Sequence, residues 1–435
     1  MKISLSWLQQ YLKVDLSTDE LSELLTDIGL EVEGIHKYET IKGGLKGIVI
    51  GKILTVDKHP DADRLNLTTV DVGTEDPLQI VCGAPNVAIG LNVPVATVGT
   101  RLYDGDESFK IKRSKIRGQI SNGMICGPDE IGLGPKTDGI MELPDDAEVG
   151  MAGANYFNIN EDIVFEIGLT PNRSDAMSHI GVARDLKAVL NSRGDDLKMC
   201  MPSIKDFKID NKDLTIDVKI ESESLCPRYS GVSISNITVN ESPDWLKHKL
   251  LSIGINPINN IVDVTNYVLH ETGQPLHAFD TEKILGKEII VKTLSNDTNF
   301  ITLDESNRKL SDNDLMICNA KEPMCIAGVF GGLDSGVTNN TNSIFIESAY
   351  FDPISIRKTA KYHKLNTDAS FRYERGCDPN ITVYALKRAA LLIQELCGGV
   401  LSSDVVDVYP NPIEDFSINF SFKNLNRLTG EELDR

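Results

Sequence analysis

Glu347 has the setting that stability alone explains least well. It follows Ile344, Phe345 and Ile346, so a carboxylate closes an otherwise apolar, strand-like run. A buried carboxylate is costly unless it is paired or hydrogen-bonded. Two explanations compete: an acceptor kept for a ligand, or an ion pair with an arginine from 372–375. The same region, 256–380, holds the densest set of polar motifs: Asn259–Asn266, Gln274–Asp280 and His363–Gly376. His277 stands alone beside Phe279, and a solitary histidine of this kind more often serves packing than catalysis. There is no Ser-His-Asp order, no G-x-S-x-G and no HExxH, so covalent or zinc hydrolysis finds no support.

Three fragments look like nucleotide motifs and are incomplete. Gly328-Val-Phe-Gly331-Gly332 lacks the Lys-Ser/Thr of a phosphate loop; its glycines suit close approach of a ligand or another backbone. His179-Ile-Gly181 is followed by Val182 instead of a second histidine. Ser114-Lys115 lacks a companion lysine signature. The last two are treated as chance.

A different chemistry is written into residues 110–117, Lys-Ile-Lys-Arg-Ser-Lys-Ile-Arg. Lys110, Lys112, Arg113, Lys115 and Arg117 make five of these eight residues basic, in a chain of net charge −20. Clustered Lys and Arg are what phosphate contacts require, because each neutralised phosphate releases counterions. The plainer account is a lysine-protected strand edge.

The elements that must carry these groups can be read from periodicity. Residues 1–38 read as helical, with Ser17 and Glu20 in capping-box spacing and Gly29 as a stop. From about 40 the period shortens: Gly47–Val56, Leu65–Val72, Leu78–Cys82 and Val93–Val98 read as short strands between turn residues, the pattern of a small barrel. Ile180–Leu190 is again helical, and 195–212 is a polar linker. Over 213–400 strands alternate with helices, two of them opened by Asp352-Pro353 and Asp378-Pro379. Strand candidates are Glu288–Leu294, Leu315–Cys318, Met324–Phe330 and Ile344–Glu347. Ser417–Phe422 reads as one more strand, at the start of a further domain.

The 435 residues are enough for about three domains. Apolar residues at 41% and charged residues at 25% are ordinary globular proportions. No apolar run approaches a membrane span, and the N-terminus has no signal-peptide pattern. The eight cysteines include no CxxC, which favours scattered thiols in a cytoplasmic protein over a zinc or redox motif.

Taken together these residues resemble a family. Ile3–Leu8 with Gly29–Glu33, His59–Leu65, Cys82–Asn86, Ser114–Gly118 with Ser121–Met124, Thr170–Asp175, Asn259–Asn266, Gln274–Asp280, and Thr367–Ser370 with Arg372–Gly376 are similar to the beta subunit of bacterial phenylalanyl-tRNA synthetase, N-terminal part. The second, third and fourth of these resemble its tRNA-binding OB module, which free-standing tRNA-binding proteins share.

The resemblance implies a multidomain α+β chain. An OB-fold β-barrel (40–150) would be inserted in a small N-terminal α+β domain (1–38 plus 151–200). A mixed α/β editing domain (210–400) and the start of a truncated further domain (405–435) would follow. It implies a part of a phenylalanine–tRNA ligase, a cytoplasmic (αβ)₂ heterotetramer of protein biosynthesis. The alpha subunit would carry the ATP- and Mg²⁺-dependent synthesis, and this part would bind no cofactor or metal. The partners would be tRNA(Phe) and the alpha subunit, with no membrane and no DNA. It further implies an esterase site for misacylated Tyr-tRNA(Phe), built from His277, Asn266, Glu347, Thr367 and Ala369 with Pro275, Gly328 and Gly331. Lys364 stands where the family often has Gly, and Phe371 where it often has His. The alternative is a non-catalytic tRNA-binding and subunit-assembly module.

Such editing makes chemical sense. An apolar pocket rejects an added hydroxyl by only about 10². A second pocket that demands the phenolic hydroxyl applies the opposite test, and Glu347 is the natural acceptor for it.

Overall fold

The computed structural model describes residues 1–105 and 107–433. The chain divides into two units. The first comprises Met1–Leu169, Leu186–Met199 and Asp244–Asn256; the second comprises Thr170–Asp185, Cys200–Pro243 and the chain from Pro257 onward. This places 170–185 in the second unit and 244–256 in the first, where 151–200 and 210–400 were each expected to hold together.

In the first unit, residues 1–38 are not continuously helical. Strand β1 (Lys2–Ser4) leads into the helical turn α1 (Leu5–Leu8) and helix α2 (Thr18–Asp27), and strand β2 (Glu31–Glu39) follows. The Ser17–Glu20 capping box starts α2. After Gly29 the chain passes into β2, because it has a strand to pair with: β12 (Glu161–Gly168) lies between β1 and β2 in one antiparallel sheet. Pairing along a neighbour outweighs local propensity here.

Strands β3 (Ile48–Lys58), β4 (Asn66–Asp71), β5 (Leu78–Cys82), β6 (Asn92–Thr97) and β11 (Gly123–Ile125) form one antiparallel sheet in the order β11-β6-β3-β4-β5. Two hairpins, β7–β8 (Arg101–Asp104, Glu107–Lys110) and β9–β10 (Ser114–Ile116, Gln119–Ser121), stand off it. The sheet curls until its ends nearly meet. Asn122 N donates to Gln79 O at 2.9 Å, and Gln79 Nε2 donates to Ile120 O at 2.8 Å. The result is a nearly closed, barrel-like sheet around Ile53, Val70, Ile80, Val93, Val95 and Ile125.

Residues 179–192 form a helix and 217–220 a strand, as do 228–235. In chain order, with the short helix Gly153–Tyr156 as α3, these are α4 (His179–Ser192), β13 (Asp217–Ile220) and β14 (Arg228–Ser235). Then come α5 (Asp244–Ser252), α6 (Asn260–Thr272), β15 (Leu276–Asp280), β16 (Glu288–Thr293), the hairpin β17–β18 (Asn299–Ile301, Asn307–Lys309), β19 (Leu315–Cys318), β20 (Pro323–Ile326), β21 (Phe330–Gly331) and β22 (Ser343–Tyr350). Helices α7 (Pro353–His363), α8 (Asp368–Tyr373) and α9 (Thr382–Cys397), strands β23 (Val400–Leu401) and β24 (Val406–Val408), and helix α10 (Phe422–Thr429) complete the chain.

Two sheets build the second unit: β13-β16-β19-β20-β21, and β15-β22-β14-β23 with β24 also on β14. Phe345 and Ala349 of β22 face an apolar layer that includes Phe279, Val291, Ile317 and Ile326. Ser348, on the opposite face, donates to Thr382 O of α9 at 2.8 Å. Asp352 caps α7 with Pro353 at its start. Asp378 does not open α9. Its carboxylate accepts from Asn380 N at 2.8 Å in a tight turn, and the helix begins at Thr382. Ser417–Phe422 forms no strand among the described residues; Phe416 is 98% exposed, and α10 begins at Phe422.

Gly231 of β14 shows how tightly the layer is packed. It pairs with Glu347 across the sheet, and a Cβ there would meet Phe345 Cζ at 2.1 Å. Phe345 is fully buried, so its ring has nowhere to go. Gly231→Ala is expected to destabilise the chain by about 1–3 kcal/mol, the usual cost of overpacking. Replacing Phe345 by Leu in the same chain should restore part of the melting temperature. An unchanged melting point for the single variant would show that the layer yields there.

Candidate functional site

Glu347 lies mid-strand in β22, 4% exposed. Its neighbours in register are Gly231 of β14 on one side and His277 of β15 on the other. Residues directly opposite in adjacent strands share a face, so Glu347 and His277 project together into the apolar layer. The arginines do not reach this carboxyl. Arg372 pairs with Asp368 and Arg375 with Glu374. The partner is instead Tyr229, two residues before Gly231 on β14, whose hydroxyl donates to Glu347 Oε2 at 3.0 Å. Among the described residues none bonds to Oε1.

Burial pushes the Glu347 carboxyl up to about 8, against the opposing pull of the Tyr229 hydrogen bond. Burial also pushes His277 down to about 4. At neutral pH the site therefore holds a carboxylic acid beside a neutral imidazole. His277 Nε2 is buried without a hydrogen-bond partner, and its ring meets Phe279 edge-on at 4.4 Å between centroids. Its neighbour from the second sheet is Gly331 of β21, where a Cβ would stand 3.3 Å from His277 Cε1 and 2.9 Å from Leu303 Cδ1.

The remaining candidates surround this pair in different ways. Gly328 has φ +65°, and a Cβ there would press on Phe351 and Tyr373 at 2.9 Å; it lets the turn before β21 sit on the aromatic core. Thr367 caps α8, accepting from Ser370 N at 3.1 Å, and its hydroxyl also donates to Val329 O at 3.0 Å. Thr367 thus ties the Gly328 turn to the start of α8, and Ala369 packs against the same core. Pro275 O accepts from Gln274 Nε2 at 3.0 Å and Tyr373 Oη at 3.4 Å. Asn266 is half-buried on α6, apart from these contacts. Lys364 ends α7 in the left-handed conformation, φ 55°, a position that glycine fills without strain. The Arg375 guanidinium lies over the Phe371 ring, 3.7 Å from its centroid.

Sequence reasoning missed Tyr229 and Gln274. Gln274 is fully buried; its Nε2 bonds to Ala349 O at 2.8 Å while its Oε1 is unpartnered. The signal for Tyr229 was present: Tyr229 and Gly231 alternate in a run of strand-forming residues. The partner, 118 residues away in sequence, was not readable from it.

The five basic residues are all exposed and lie on β8, the link to β9, β9 itself and the β9–β10 turn. Arg101 of β7 stands directly opposite Lys110, a cation missing from the sequence reading. Phe109 beside it is 49% exposed. His59 is buried, with Nε2 3.1 Å from Ile116 O and Nδ1 accepting from Asp61 N at 3.1 Å, so it props the β9–β10 hairpin.

The two ionisable groups make a prediction with a defined sign. A carboxyl raised by folding contributes stability below about 4.5 that is lost as pH rises through about 8. An imidazole depressed by folding contributes stability above about 6.5 that is lost as pH falls through about 4. Between about 6.5 and 8 only the carboxyl contributes a slope, at most about 1.4 kcal/mol per pH unit. Chemical denaturation across that window should show stability falling with pH more steeply in the wild type than in Glu347→Gln. Equal slopes would mean that Glu347 does not titrate there.

Comparisons with known proteins agree with this division of labour. The family profile "B3/4 domain" matches residues 225–398, which hold Glu347 and His277. The profile "Putative tRNA binding domain" matches residues 48–152, which hold the barrel-like sheet and the basic hairpins. Proteins named phenylalanine–tRNA ligase beta subunit align with nearly the whole chain. That of Bacteroides thetaiotaomicron is 56% identical over 99% of this chain and 53% of its own length. Those of Bacteroides fragilis (54% identical, 99% and 53%) and Porphyromonas gingivalis (53% identical, 100% and 53%) are similar. The chain spans about half the length of the curated relatives it matches, and over that span it is similar to phenylalanine–tRNA ligase beta subunits.

Proposed function

We propose that this chain serves phenylalanyl-tRNA synthesis by binding tRNA(Phe) and hydrolysing Tyr-tRNA(Phe). The observation that carries the reading is the buried, unpartnered Nε2 of His277 directly across the strand pair from Glu347, whose Oε2 alone is taken by Tyr229. Polar atoms this deep are normally satisfied. Tyr229 occupies one oxygen of Glu347 and leaves the other to a second phenol. A bound tyrosine side chain would present its hydroxyl to Oε1, and phenylalanine would leave that oxygen empty.

The ester is already activated, so hydrolysis needs a placed water more than a strong nucleophile. Water adds to the ester carbonyl, the ribose oxygen departs with a proton, and tyrosine is released. His277, kept neutral by burial, retains a ring nitrogen that accepts a hydrogen bond and orients either the water or the terminal ribose. Thr367 and Gly328 act as positioning residues through the turn and helix they join. Synthesis itself, with ATP and Mg²⁺, would belong to an alpha subunit in an (αβ)₂ enzyme of the cytoplasm.

The hydrogen bond from Tyr229 favours a second reading. In it Glu347 serves only the fold, and the chain is a tRNA-binding and assembly module. Two variants separate the readings. Glu347→Ala should lower Tyr-tRNA hydrolysis about two- to 13-fold, the net worth of one hydrogen bond to an uncharged carboxylic acid. Tyr229→Phe should cost stability while leaving hydrolysis within a few-fold. The assay uses Tyr-tRNA and Phe-tRNA, with and without the alpha subunit. If both variants lose stability alike and neither loses selectivity, the assembly reading holds.

Binding through the basic hairpins is tested separately. Reversing Lys112 and Arg113 to Glu should weaken tRNA binding and flatten its dependence on salt. Unchanged affinity and slope would reduce the stretch to a solvated edge.

A further inference from the structure

Of two stretches with strong family character, Thr170–Asp175 has no part in the site above, and Arg372–Gly376 touches it only through Tyr373. Within the second unit they meet around one cavity of about 280 Å³. Its wall includes Arg372, only 2% exposed. This guanidinium is held by Met177 O at 3.3 Å, by Asp368 through its carbonyl at 2.9 Å and its carboxylate at 3.0 Å, and by His270 Nδ1 at 3.1 Å. Those bonds fix its position before any ligand arrives.

Arg184, in the first turns of α4, also lines the cavity and is exposed. Among the described residues none makes a hydrogen bond or ion pair with it. The carboxylates nearby are already engaged. Asp175 is gripped by Arg173 through bonds of 3.0 and 2.9 Å, and Asp378 is turned to Asn380 N. Ile381, the residue before α9, lines the cavity too, and that helix has no acidic residue in its first turn and no side-chain cap. Its positive end adds to the two arginines. An ion-paired arginine fixed in the wall, an exposed arginine that makes no hydrogen bond to any described residue and shares its field with Asp175, and an uncapped helix end around one cavity suit an anion with several acceptor oxygens.

Gly273 lies on the cavity wall, four residues before His277. The chain between them spans at most about 14 Å, a reach of a few nucleotides of single strand. We propose that this cavity binds a backbone phosphate of a single-stranded RNA 3′ end, close upstream of the nucleotide whose ester meets His277 and Glu347. The assignment of the RNA rests on the editing function proposed above.

The test measures binding of a short fluorescein-labelled single-stranded RNA ending in CCA to the 435-residue chain, without any ester. Arg184→Ala should weaken binding about tenfold and lower the salt slope by about 0.7, while Arg184→Lys keeps most of the affinity. Neutral methylphosphonate linkages are then placed one at a time. One position should cost the wild type the same factor and cost Arg184→Ala nothing, as expected for a coupled pair. Unchanged affinity in Arg184→Ala, or a loss that is the same at every linkage, would overturn the proposal. So would inorganic phosphate that binds through Arg184 while the RNA does not, which would mark a site for free phosphate. Arg184-dependent RNA binding in a chain that fails to hydrolyse Tyr-tRNA would remove the editing function and keep the cavity.

Discussion

The register of β22 against its two neighbours puts Gly231, Glu347 and His277 in one row across three strands. Strand pairing has a period of two, so a slip of one residue would turn Glu347 out of the apolar layer and bring Ile346 or Ser348 in. Much in the second unit follows from holding that row. Gly231 yields its side-chain volume to the Phe345 ring. Among the described residues Tyr229 supplies the one hydrogen bond to the carboxyl. On the far face, Ser348 fastens the strand to α9. The acid is tolerated because the same alternation that buries it also brings a donor to it.

The second constraint is the tie between the two β-layers at the edge of the site. Gly331 of β21 comes close to His277. The turn before it is secured by the Thr367 hydroxyl, which caps α8 at the same time. A single hydroxyl serves two elements, so the helix start and the glycine turn cannot shift independently. Thr367 thus fixes the turn beside His277 from the start of α8.

What could be read beforehand was local or compositional. The Ser17–Glu20 box, the Asp352-Pro353 cap and the short barrel strands each carry their signal within a few residues. The oddness of Glu347 was visible because one polar residue broke an apolar run. What could not be read depends on partners distant in sequence. Glu31–Glu39 becomes a strand because β12, more than 120 residues later, offers an edge. Ser417–Phe422 alternates just as well and pairs with nothing described, since alternation alone does not make a sheet. The fate of the Glu347 carboxyl turned on Tyr229 for the same reason. The cavity at Arg184 needed the fold to bring two separate motifs together.

Arg101 and Lys110 face each other across the β7–β8 hairpin. Like charges directly opposite destabilise a strand pair. A polyanion lying along them would remove that repulsion, so the hairpin would be firmer with such a partner than without it. Dissolved salt acts on the same two charges in opposite senses: it screens their repulsion and thereby steadies the empty hairpin, and it competes with the phosphates for them.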